Sequence, residues 1–118
     1  MIQLSKRLNA VAELLVHGID QLELEQPVLA DIGTDHAYLP VYLVQKKVVK
    51  KAYAADVRKG PLLHAKEHIE QYGLGEYIQT RLSDGGESFV PGESEVAVIA
   101  GMGGGLMQKI LSGSPEFF

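Results

Sequence analysis

The chain has 118 residues, 11 of them basic and 15 acidic, for a formal net charge of -4. With 46% hydrophobic and 22% charged residues, it has the material for one packed core, which excludes dominant disorder and leaves little room for a second domain. Cysteine is absent, which excludes disulfides and thiolate chemistry. The acidic balance argues against nucleic-acid binding by bulk charge alone. No run approaches the ~20 apolar residues of a membrane span. The first eight residues lack the apolar stretch of a signal peptide, so a cytoplasmic location is expected.

The apolar pattern switches between helical and strand periods along the chain. Leu4, Leu8, Val11, Leu14 and Leu15 recur at helical spacing behind a cap at Ser5. A loop with Gly18 and Pro27 is expected next. Residues 28–32 then read as a buried strand ending at Gly33. Residues 37–45 read as a helix, with Pro40 tolerated only in its first turn. Residues 52–56 form a second short strand, and residues 61–72 a second crossover helix stopped by Gly73 and Gly75. Residues 77–82 alternate as a third strand, broken at Asp84-Gly85-Gly86. Residues 96–100 are a fourth strand, leading into Gly101-Met102-Gly103-Gly104-Gly105 and an expected helix over 106–111.

This order predicts half of a doubly wound α/β sheet, in which ligands sit at the carboxyl ends of the strands. Asp31, Gly33, Asp56, Asp84, Ala100 and Gly101 all fall at such ends. The first loop, Asp31-Ile32-Gly33-Thr34-Asp35-His36, lacks the Gly-x-Gly-x-x-Gly of a dinucleotide site. An acid there repels a pyrophosphate and attracts an ammonium or a sulfonium, both of which S-adenosylmethionine carries. Each residue also has a plainer role. Asp35 is either a ligand or a helix cap. Asp56 either accepts from ribose hydroxyls or is a surface acid beside Arg58. Asp84 either accepts from an adenine amino group or makes a turn with Gly85. The glycine run either admits a close ligand or is a connector, and Met102 lines a base pocket or fills core. His36 lies beside the proposed site. His64 and His68, four apart, share a helix face and read as solvated rather than as metal ligands, since no third ligand is evident; no metal site is expected.

Three strings resemble the bacterial tRNA adenine N1-methyltransferases of the TrmK type. They are Leu4-Ser5-Lys6-Arg7-Leu8, the run from Ala30 to Pro40, and Ile99-Ala100-Gly101-Met102-Gly103-Gly104. The similarity extends from Leu4 to about Leu111. It implies a Rossmann-like class I methyltransferase sheet, truncated here after about the fourth of seven strands, with S-adenosylmethionine as cofactor and adenine 22 of tRNA as target. It implies that Asp31, Gly33, Asp35 and His36 surround the methionine part and that Asp56 holds the ribose. Asp84 and Gly85 meet the adenine end, and Ala100, Gly101 and Met102 flank the methyl group. Arg7 would reach the cofactor carboxylate, against the plainer role of a solvated helix charge. Tyr38 and Met102 are the base-pocket candidates. No general base is assigned, because adenine N1 already presents an in-plane lone pair.

On this reading residues 1–111 are the N-terminal part of the methyltransferase domain. Residues 112–118 form a tail that reads like a linker translation or a frameshift. Strand four would be an open edge, available for self-association. Lys46, Lys47, Lys50 and Lys51 form a basic cluster, read either as a solvated loop or as a contact for tRNA phosphates. Two other readings compete. One is a non-catalytic module binding S-adenosylmethionine or a partner chain; the other is a nucleotide-dependent oxidoreductase, which the missing glycine fingerprint disfavours.

Overall fold

The computed structural model describes residues 3–34, 36–82, 94–100 and 106–110, with residues 99–100 and 106–110 described by their backbone. The order is α1 (Lys6–Gln21), β1 (Val28–Ile32), α2 (Tyr38–Gln45), β2 (Lys51–Asp56), α3 (Lys59–Gln71), β3 (Ile78–Leu82), β4 (Val96–Ala100) and β5 (Leu106–Ile110). The strands form one sheet in the order β3-β2-β1-β4-β5. Neighbours among β1, β2, β3 and β4 pair in parallel, and β5 runs antiparallel to β4. The α/β expectation is met, with two corrections. Residues 106–110 are a strand, not the start of a helix, because pairing with β4 satisfies their backbone. Consequently β4 is an interior strand, and the edges of the sheet are β3 and β5.

Ser5 caps α1, its side chain accepting from the Leu8 amide at 3.2 Å. The helix runs through Gly18, which the sequence pattern had assigned to a loop. The reason is packing: Val11, Ala12, Leu15 and Ile19 are buried on one stripe that extends past Gly18. Leu14, counted in the expected stripe, faces outward and is 56% exposed. Helix α2 is nearly apolar throughout and buries Leu39, Pro40, Val41, Leu43 and Val44. Pro40 is its third residue, where no intrahelical amide is needed. Helix α3 ends as its glycine predicts. Gly73 adopts a φ of 70°, its amide donates to the Glu70 carbonyl, and the Leu74 amide donates to that of Ile69.

Side chains alternate across a strand, so register assigns them to faces. Leu29 and Asp31 of β1 share a face with Ala52 and Ala54 of β2 and with Val96 and Val98 of β4. The apolar members of this set form one core with α1, α2 and α3. Leu15, Leu29 and Leu43 are wholly buried there, each worth roughly 1.5–3 kcal/mol. Ala30, Ile32, Tyr53, Ala55 and Ala97 form a second cluster on the other face. Asp31 and Asp56 therefore stand on the helix-covered face, at the carboxyl ends of adjacent strands.

Candidate functional site

The site is built where β1 ends. Gly33 leaves the strand with a φ of 81°, a left-handed conformation that favours glycine. Its amide and that of Thr34 both donate to the Ala55 carbonyl at 2.8 Å, which pins the turn against β2. Ala37, buried and without a side-chain capping bond, starts α2 with a φ of 60°. A non-glycine residue in this region costs on the order of 1–3 kcal/mol. The loop therefore holds an uncommon shape that the surrounding contacts must maintain.

Asp31 is 5% exposed, and the Thr34 hydroxyl donates to its Oδ2 at 2.8 Å. Burial raises its pKa from 3.8 to about 7; the Thr34 bond opposes the rise and the nearby Asp56 carboxylate adds to it. A cation placed beside this carboxyl would restore its charge. Asp56 is 4% exposed, so it is not the surface acid of the plainer reading. Its Oδ1 accepts from the Arg58 amide at 3.1 Å and lies 3.7 Å from the Arg58 Nε.

A cavity of about 550 Å³ opens at this end of β1, within the range of roughly 300–1,000 Å³ common for small-molecule sites. Its wall includes Arg7, Asp31, Gly33, Thr34, Tyr38 and Val98. Four residues singled out from the sequence, Arg7, Asp31, Gly33 and Tyr38, are thus brought together. Thr34, Val98, Leu8 and Val11 also line it and were missed. Val11 had a usable signal, since it lies four residues after Arg7 on the same helix, with Leu8 three before it. His36 is not in the cavity wall, but its ring stacks on that of Tyr38 with centroids 5.3 Å apart. Asp35, Asp84, Gly85, Gly101 and Met102 lie outside the described residues; Ala100 is placed by backbone alone, paired with Leu106.

The histidines need correcting. The spacing of His64 and His68 predicts one solvated face, yet His68 is partly buried and its Nδ1 lies 2.9 Å from the His36 carbonyl. The His36 ring lies 5.1 Å from that of His64 and 5.4 Å from that of His68. Among the described residues no group of three side chains is arranged to hold a metal ion, and no helix is long and apolar enough to cross a membrane.

A sequence-family profile described as a methyltransferase domain matches residues 4–118. The chain belongs to the methyltransferase-domain family. It is 42% identical over 115 residues to a tRNA (adenine(22)-N(1))-methyltransferase of Bacillus subtilis (strain 168), covering 98% of this chain and 45% of that protein. The crystal structure of the B. subtilis tRNA methyltransferase TrmK matches 87% of this chain and 41% of its own, with a TM-score of 0.74 and 42% identity. A Streptococcus pneumoniae structure, described as a putative tRNA methyltransferase in complex with S-adenosyl-L-methionine, matches 86% of this chain and 44% of its own. Its TM-score is 0.73 and its identity 39%. The chain therefore spans less than half the length of these relatives.

Within the methyltransferase-domain fold, the residues present fit a zwitterionic, cationic ligand. The cavity offers one buried carboxyl whose ionised form a cation would favour, and one guanidinium for a carboxylate. Asp56 adds a second buried acceptor on the same face, one strand over.

Proposed function

We propose that the chain is the S-adenosylmethionine-binding part of an enzyme that methylates N1 of adenine 22 in tRNA, in the cytoplasm. The observation that carries the reading is the joint presence of Asp31 and Arg7 in one cavity wall at the end of β1. When bound, S-adenosylmethionine supplies an electrophilic methyl group on a sulfonium. Asp31, with its Thr34 donor, would bind the cationic methionine end, and Arg7 its carboxylate. Gly33 would let the ligand approach the backbone, with Asp35 and His36 beside it. Asp56 would accept from the ribose hydroxyls, and Asp84 with Gly85 would meet the adenine. Ala100, Gly101 and Met102 would flank the methyl group, and Tyr38 would help form the base pocket.

On this reading residues 1–111 belong to the methyltransferase domain and residues 112–118 to a tail. Adenine N1 attacks through its own lone pair, so the protein's work is positioning and exclusion of water, with no general base. N1 lies on the Watson–Crick edge, so a paired target must first leave its stack.

The test is a calorimetric titration with S-adenosylmethionine and with NAD. Methyl transfer is then measured from labelled S-adenosylmethionine to tRNA transcripts bearing adenine or guanine at position 22. Saturable S-adenosylmethionine binding and label in the adenine transcript alone is the expected result. Binding without transfer would favour a non-catalytic cofactor-binding module, and tight NAD binding would favour an oxidoreductase.

A further inference from the structure

The loop between β1 and α2 sets one wall of the cavity, and α3 reaches across to hold it. His68 lies on the third turn of α3, 32 residues from its partner, with its Nδ1 2.9 Å from the His36 carbonyl oxygen. A carbonyl only accepts, so Nδ1 carries the proton and donates. The His36 carbonyl precedes the first intrahelical bond of α2, which runs from the Val41 amide to the Ala37 carbonyl. The His68 ring reaches it from a different element of the fold. The same ring lies 5.0 Å from the Tyr38 ring at an interplanar angle of 32°, and 5.4 Å from that of His36. Tyr38 in turn lines the cavity. Between the bonded carbonyl and Tyr38 stands Ala37, in its left-handed conformation. Among the described residues of this short loop Gly33 and Ala37 are both left-handed, and the bond at His36 is one of the contacts that hold that shape.

We propose that His68 is a positioning residue for the cavity. By donating Nδ1–H to the His36 carbonyl and packing on the Tyr38 ring, it fixes the β1–α2 loop and sets Tyr38 in the cavity wall. The proposal rests on the cofactor reading above only for the identity of the ligand. A plain structural tie would stabilise α3 against the sheet without moving Tyr38. A positioning role requires that losing the bond displace Tyr38 and weaken the ligand, and that a side chain able to donate from the same place restore both. Asn presents an amide NH₂ near the place of Nδ1, so His68→Asn is the conservative variant.

Two measurements on the 118-residue chain test this. Imidazole ¹⁵N spectra of the free protein at pH 8 read the His68 tautomer, and aromatic ¹³C-edited NOE spectra follow the Tyr38 ring signals and their contacts in His68→Ala and His68→Asn. Calorimetry with S-adenosylmethionine gives the affinity of each. The expected result is an Nδ1–H tautomer and shifted Tyr38 signals in His68→Ala. Affinity in that variant falls about tenfold, the scale of one lost hydrogen bond, and both signals and affinity return in His68→Asn. An Nε2–H tautomer overturns the proposal, and this is read on the parent even if His68→Ala does not fold. A His68→Ala protein that melts lower, with Tyr38 signals and affinity unchanged, also overturns it. If the parent binds no S-adenosylmethionine, the cofactor reading fails while the Tyr38 signals still decide: displacement with return in His68→Asn sustains the proposal, and no displacement overturns it.

Discussion

Helix α2 runs between two ends of the sheet that handle charge in opposite ways. At its start lie Asp31 and Asp56, both buried. Beyond its end lie Lys46, Lys47 and Lys50, all exposed, and Lys51, which opens β2 with its Nζ 5.3 Å from the centroid of the Tyr53 ring. Each end also has a non-glycine residue in the left-handed region: Ala37 at a φ of 60° and Lys47 at 59°. The backbone oddity is shared, but its meaning is not. At Lys47 it closes a helix, with the Val48 amide donating to the Leu43 carbonyl and the Lys47 amide to that of Val44. At Ala37 it shapes a buried loop beside a cavity. Strain and charge point to function where both are buried, and are ordinary surface chemistry where both meet water.

The largest effect that would break this contrast comes from Asp31. If its carboxylate holds the ligand's cation, Asp31→Ala loses on the order of 100-fold or more in S-adenosylmethionine affinity. Asp31→Asn loses a similar amount while melting higher than the parent at pH 8, because it removes a buried charge. Calorimetry and thermal denaturation read the two separately; retained affinity in Asp31→Asn would end the electrostatic account.

The second effect is pH dependence. With a pKa raised to about 7, Asp31 is protonated in the folded chain where it is ionised in the unfolded one. Between about pH 4 and 7 the folded state thus binds the extra proton, and stability falls as pH rises through that window, then levels above it. Ligand affinity runs the other way. Below pH 7 binding must first release the proton, so affinity drops about tenfold per pH unit until the pKa of the bound state is reached. Asp31→Asn should flatten this contribution to both profiles.

Strands β1, β2 and β4 were legible as short apolar runs closed by glycine or acid, and β3 by its alternation. The observed limits of β1 and β4 coincide with the sequence reading, and those of β2 and β3 differ by one residue. The misses are all non-local. Leu106, Met107 and Ile110 fit a helical spacing as well as a strand; what makes them a strand is β4 alongside. Gly18 stays helical because Ile19 is buried one residue later. The strand ends identified Asp31 and Gly33, and spacing could bring Arg7 no nearer to them than a guess. That Asp31 is buried enough to hold a proton, and that His68 reaches His36, depend on elements far apart in sequence and on the closeness of their packing.

A smaller effect sharpens the cause of the Asp31 shift. Thr34→Val keeps the shape and removes the hydroxyl that lowers the Asp31 pKa. The pH midpoint for ligand binding should then move upward, and the free chain should lose about 1 kcal/mol from the missing bond. Unchanged pH profiles in calorimetry would show that the hydroxyl does not act on the carboxyl.

The smallest effect lies at the lysine end and has the opposite sign. Lys47→Gly removes the Cβ from a residue held at a φ of 59°, where glycine has no steric penalty. Against it stands the greater freedom glycine gives the unfolded chain. The left-handed penalty for a residue with a Cβ is about 1–2 kcal/mol, larger than that entropy difference, so a net gain of about 0.5–1 kcal/mol is expected in denaturant unfolding. The Gln26 side chain, whose Nε2 donates to the Lys47 carbonyl at 3.1 Å, keeps its partner because the bond is to backbone. Lost lysine charge contributes little, since the side chain is exposed. Affinity for S-adenosylmethionine should be unchanged, as Lys47 lies at the opposite ends of the strands from the cavity. A stabilised Lys47→Gly that also altered affinity would join the two ends, and the contrast between them would no longer stand.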